Sequence, residues 1–159
     1  MNPHAEALDP KSSVYANFTT LAKLKGFEPC RDRTCDPQIT GTLGILTDPS
    51  HPLFREFPTE EHTNWQWFPV LKASRPMILD ALEGYKPIVQ VIDNVERNHR
   101  LGLVFEFQVG KGKLLVCCSD LESILEYPEG RQFYKAVLDY MRSDDFQPSV
   151  TLDRDRLKL

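Results

Sequence analysis

The stretch LGLVFEFQVGKGKLLVCC, residues 101–118, carries the strongest structural signal in the chain. Leu101, Leu103, Phe105, Phe107 and Val109 alternate with Gly102, Val104, Glu106 and Gln108, a period of two that buries one face of a strand and leaves the other at least partly wet. Gly110, Lys111 and Gly112 follow at once, a turn tight enough to close a hairpin. The returning arm, Lys113 to Cys118, is apolar on both faces and is therefore expected at the centre of the sheet. Working outward, Pro87 to Asp93 is β-branched and apolar and reads as another strand. Thr42 to Leu46 reads as a first strand that ends in the turn residues Thr47, Asp48, Pro49 and Ser50. Between them, Thr59 to Ala73 has helical spacing at Trp65, Phe68 and Leu71 or Lys72, with Thr59 as an N-cap and Pro69 as a kink. Glu129 to Arg142 puts Phe133, Val137, Tyr140 and Met141 on one stripe and Arg131, Lys135, Asp139 and Arg142 toward water. Strand-length apolar runs that alternate with helical segments predict an α/β domain over residues 41–148. Residues 1–40 read as a loosely tied arm with one helix-compatible stretch at Val14 to Leu24, and residues 149–159 as a charged tail.

The chain has 159 residues, of which 41% are hydrophobic, and its 19 Lys and Arg against 23 Asp and Glu give a net charge of -4. That is enough apolar material for one core, and the balance is wrong for a phosphate-binding surface, so nucleic acid is not expected as a partner. The longest apolar run, Leu114 to Cys118, is far short of the roughly 20 residues that span a bilayer. The first residues lack the apolar core of a secretory signal, so as it stands the chain is expected to stay in the cytoplasm. Cys117 and Cys118 sit in an apolar run and read as buried thiols. Cys30 and Cys35 lack two further ligands at matching spacing for zinc. Neither a metal nor a cofactor is expected.

Two groups of residues could carry binding chemistry. In an open α/β sheet, sites form outside the carboxyl ends of the strands, and three predicted strands end in polar pairs: Thr47 with Asp48, Asp93 with Asn94, and Ser119 with Asp120. The plainer reading is that these aspartates cap turns. The second group is Glu60 to Trp67, where His62, Asn64, Trp65, Gln66 and Trp67 fall within two helical turns. Indole faces stack on the C–H faces of sugars while amides and carboxylates take hydroxyl hydrogen bonds, which is the chemistry of a carbohydrate surface. The plainer reading puts Trp65 in the core with its N–H satisfied, Trp67 over an edge, and His62 beside a carboxylate. The candidate binding residues are thus Asp48, His62, Asn64, Trp65, Trp67, Asp93, Asn94 and Asp120. No catalytic residue is assigned. Cys117 and Ser119 lack the glycines of a nucleophile elbow, and Gly110 to Lys113 is too short for a P-loop and precedes a strand.

Four stretches in order resemble the C-terminal region of bacterial family 2 glycoside hydrolases, which are β-galactosidase-like enzymes. They are Gly44 to Pro52; Phe57 to Glu60 with His62 and Asn64 to Trp67; Pro87 to Asn94; and Gly110 to Leu114. The resemblance implies an appended α/β domain of flavodoxin-like, class I glutamine-amidotransferase-like shape, a three-layer sandwich incomplete at its N-terminal edge. Parental enzymes of that kind are periplasmic or secreted. Their catalytic acids lie on a barrel of roughly 250 residues, for which this chain has no room, so catalysis is not carried over. Gly26 to Pro37 is similar to peptides that arise when a transfer-RNA gene is read as coding sequence, which would make the arm an accidental leader.

The function expected from this reading is a non-catalytic accessory domain of a glycosidase, serving carbohydrate contact or docking onto the other domains of such an enzyme. Two alternatives stay open. One is a small stand-alone hydrolase using Asp93, His62 or Glu60 in a crevice. The other is an interaction module that self-associates through an open sheet edge.

Overall fold

The computed structural model describes residues 28–29, 43–93 and 98–152. The expected helix at residues 14–24, Cys30, Cys35, Asn94 and the charged residues 153–156 lie outside them.

Six strands form one sheet: β1 (Glu28–Pro29), β2 (Ile45–Thr47), β3 (Met77–Ile78), β4 (Val89–Ile92), β5 (Arg100–Val109) and β6 (Gly112–Cys117). Their order is β1-β3-β5-β4-β2, with β6 on β5, and every strand pair is antiparallel. Among the described residues there are two α-helices, α1 (Phe68–Lys72) and α2 (Pro128–Arg142), and two short 3-10 turns, Pro52–Arg55 and Trp65–Trp67.

This corrects the expected flavodoxin-like, amidotransferase-like three-layer sandwich. Such a fold needs parallel strands, and a parallel neighbour requires a crossover of a dozen or more residues, usually a helix. Here β5 turns directly into β6 at Gly110, with φ 58°, and Lys111. The connection from β4 to β5 is only residues 93–99. Both connections are short enough only for antiparallel return. The described residues form a mostly antiparallel sheet with one long helix.

The long first arm of the hairpin, not the second, is the central strand. β5 pairs with β6 and then β3 along one edge, and with β4 along the other. Beyond the end of β4, the Tyr85 hydroxyl takes the place of a strand: it donates to the Glu106 carbonyl at 2.8 Å and accepts from the Glu106 N–H at 3.0 Å. One step further, Gln108 N–H donates to the Val150 carbonyl and Leu152 N–H donates to the Gln108 carbonyl, both at 2.8 Å. The polar groups of β5 are thus satisfied along a mixed edge, as buried backbone requires.

Successive residues of a strand point to opposite faces. Glu106 meets Tyr140 of α2 on one face, whereas Phe107 stacks on Tyr85 from the 79–88 segment, ring centroids 4.9 Å apart. Both faces are therefore covered, and Leu101 to Phe105 are all buried, including the row expected to be partly wet. A register shift opposite Val89 and Gln90 leaves Leu103 as an extra residue, a bulge in β5.

Helix α2 starts at Pro128, whose missing N–H is no loss at a first helical position, with Glu129 in the first turn and Arg142 in the last. It buries Phe133, Ala136, Val137 and Tyr140, while Met141, expected on that stripe, is exposed. Phe133 closes an aromatic cluster with Phe57 and Trp67, the three rings meeting edge to face at 5.0 to 5.2 Å. Such pairs contribute about 0.5–1.5 kcal/mol each beyond area burial.

Candidate functional site

The segment expected to be one helix from Thr59 is built differently. Asn64, not Thr59, begins it: the Asn64 side chain accepts from the Gln66 N–H at 3.2 Å, capping the Trp65–Trp67 turn that leads into α1. Thr59 instead accepts from the Trp67 indole N–H at 2.7 Å. Trp67 is fully buried, its N–H satisfied, and is a core residue rather than a contact residue.

Trp65 is left outside. It is 88% exposed, and its indole leans on the half-exposed Phe68 ring at 6.4 Å. The Lys72 ammonium lies 5.9 Å from the centre of that ring. Trp65, Phe68 and Lys72 form a ridge on the outside of the 3-10 turn and α1, set against the buried Trp67, Pro69, Val70 and Leu71. Phe68 and Lys72 share the helical spacing with Trp65 but are not among the candidate binding residues; that spacing is the signal that finds them.

The other candidates do not join this ridge. Asp48 closes a turn, accepting from the Ser50 N–H at 2.9 Å and hydroxyl at 2.6 Å, and these bonds hold its carboxyl below the ordinary value. His62 is exposed, with Nδ1 3.5 Å from Glu60. Asp93 accepts from the His99 N–H at 2.9 Å, and Asp120 from the Ser123 N–H at 3.2 Å. The strand-end aspartates cannot converge, because β2 and β4 run antiparallel with Thr47 opposite Val89. Asp48 and Asp93 follow the carboxyl ends of oppositely directed strands and lie at opposite ends of the sheet. The outward backbone of β2 is also occupied within the molecule: Ile45 N–H donates to the Thr63 hydroxyl at 3.0 Å, which itself donates to the Leu43 carbonyl, and Thr47 N–H donates to the Glu61 carbonyl at 3.2 Å.

The titratable groups with the most disturbed environments serve the core. Burial raises the Glu106 carboxyl, against the Tyr140 hydroxyl bond and the Lys113 charge that lower it. Burial pushes Tyr85 up to about 12 and raises Tyr140 too. Burial lowers His51, whose Nδ1 accepts from the Leu53 N–H at 3.3 Å and whose ring meets Tyr140 at 5.2 Å. These groups hold α2 and the 3-10 turn to β5. Cys118 is buried and Cys117 half-buried; both are free thiols, and burial pushes Cys117 up to about 11. Among the described residues no three His, Cys, Asp or Glu side chains gather as metal ligands, and no helix is long and apolar enough to cross a membrane.

Comparison with curated proteins finds no match. A family model does match: residues 8–159 fit the one described as Domain of unknown function (DUF8487), and the chain belongs to that family.

Proposed function

We propose that this chain is an accessory binding module that contacts carbohydrate through Trp65. The observation that carries the reading is the placement of its two indoles. One is locked in the core, while the other stands almost wholly in solvent on a backbone fixed by the Asn64 cap. A broad apolar patch suits a protein partner. A single projecting ring beside polar side chains suits the C–H face of a sugar, with Phe68 extending the platform and Lys72 within reach of hydroxyls or a uronate. The amidotransferase-like fold implied by the resemblance to family 2 glycoside hydrolases is absent, so the carbohydrate reading rests on Trp65 and not on that fold.

The test is a titration of the whole chain with galactosides, glucuronides and plant-polysaccharide fragments, followed by amide and indole NMR. A sugar that moves the Trp65 indole signal and leaves that of Trp67 in place supports the reading, and Trp65→Ala should abolish the response without altering the rest of the spectrum. If no sugar in the panel moves the Trp65 signal, the reading fails.

A further inference from the structure

The 79–100 segment brings together residues that no motif linked in the sequence. Asp80 and His99 are 19 positions apart, yet Asp80 Oδ2 lies 2.6 Å from His99 Nδ1. The other carboxylate oxygen, Oδ1, accepts from the Arg100 N–H at 2.7 Å. The His99 backbone N–H is held in turn by Asp93 at 2.9 Å. Asn98, just before it, is left-handed at φ 52°, a conformation Asn tolerates better than most residues. The Arg100 guanidinium donates to the Leu82 carbonyl at 2.6 Å, and the Leu79 N–H donates to the Arg100 carbonyl at 2.8 Å. Asp93 and Asp80 thus fix the backbone of His99 and Arg100 at the start of β5, and Asp80 alone holds the imidazole, at Nδ1.

The chemistry follows from which nitrogen is committed. A carboxylate only accepts, so the 2.6 Å contact puts a proton on Nδ1, and the lone pair of the neutral imidazole is then on Nε2. The His99 side chain is 35% exposed and that of Asp80 47%, so the pair is open to solutes. A histidine whose Nδ1–H is held by a carboxylate is the base-and-orienter half of a hydrolytic site. Burial works to raise the Asp80 carboxyl, but its bonds to Arg100 and His99 and their charges outweigh it and keep the carboxyl below the ordinary value. Asp80 therefore stays ionised as the imidazole takes a proton.

We propose that Asp80 and His99 form a general-base dyad that hydrolyses small, unhindered esters, with His99 as the catalytic base and Asp80 as the positioning residue. His99 Nε2 takes a proton from water as the water oxygen bonds to the acyl carbon and the carbonyl π electrons move onto oxygen. The tetrahedral intermediate then expels the alcohol oxygen with the C–O electron pair, the imidazolium returns its proton to that oxygen, and acid and alcohol leave. Water is the only co-reactant. The site lies on a different segment from the Trp65 ridge and does not depend on it.

The test uses the whole chain and p-nitrophenyl acetate across a range of pH. The expected result is protein-dependent p-nitrophenolate release that rises with pH and levels off once the imidazole is neutral. His99→Gln should lower that rate at least tenfold, whereas Lys111→Gln, in the exposed turn of the β5–β6 hairpin, should leave it unchanged. Asp80→Asn should lower it several-fold, because the imidazole loses the carboxylate that orients it, and Asp80→Glu should restore part of the rate. A rate that survives His99→Gln, a rate unmoved by Asp80→Asn, or no rate above buffer overturns the proposal. A variant that unfolds does not remove the test, since long-range nitrogen–proton NMR on the unaltered chain reads the tautomer directly. His99 protonated on Nε2 and bare on Nδ1 would be fatal to the dyad.

Discussion

Glu106 carries a half-buried carboxylate that faces α2, with Tyr140 donating to its Oε2 at 2.8 Å, while the Tyr85 hydroxyl bonds its backbone. Burial raises its folded-state value, so the folded chain holds a proton that the unfolded chain releases. By linkage, this group favours folding below the ordinary glutamate range and loses that contribution as pH rises through the folded-state value. Glu106→Gln keeps an acceptor for Tyr140 and removes the charge. It should raise the urea midpoint at pH 7–8 relative to the unaltered chain, with the gap closing as pH falls toward 4; an equal or lower midpoint at pH 8 would contradict the buried-charge account. Residue types alone showed that two tryptophans, a histidine and amides were close in sequence. Which indole was outside was not legible, because Trp65 and Trp67 are two apart on a turn whose start moved from Thr59 to Asn64.

The most legible elements were those whose own pattern was strong enough to resist their surroundings. Helix α2 appears at Pro128–Arg142, against an expectation of Glu129 to Arg142, and the β5–β6 hairpin turns at Gly110 and Lys111. The Thr59–Ala73 helix shrank to a 3-10 turn and five residues of α1, because the Asn64 cap and Pro69 limit it locally and Thr59 was needed for the Trp67 indole. Gly130 shows an element meeting its neighbour. A Cβ there would run into the Ile124 carbonyl oxygen, which is backbone and cannot swing aside. Ala outranks Gly as a helix former by about 1 kcal/mol, so in open space Gly130→Ala would stabilise. Here it should destabilise by about 2 kcal/mol, within the range for overpacked sites. Chemical denaturation gives the sign, and a stabilised variant would show that the approach is not rigid.

For the whole molecule, the segment after α2 closes the structure. Lys113 donates to the Phe146 carbonyl at 2.6 Å, Arg55 pairs with Asp145 at 2.8 Å, and Thr151 bridges to Gln108 with Leu152 only 3% exposed. Leu152→Ala should cost about 2 kcal/mol, the low end for a buried leucine because the site lies at a sheet margin. Unchanged denaturant unfolding would mean that Leu152 adds nothing to the core. The sequence by itself determined the hairpin, the long helix, the apolar content of the core and the polar character of the strand ends, since each depends on local periodicity or turn chemistry. Only the tertiary structure decided strand direction, the central place of β5, the burial of Trp67 against the exposure of Trp65, and the meeting of Asp80 with His99. Those depend on which distant segments pair and on the need to satisfy every buried polar group, neither of which is written in a single stretch of residues.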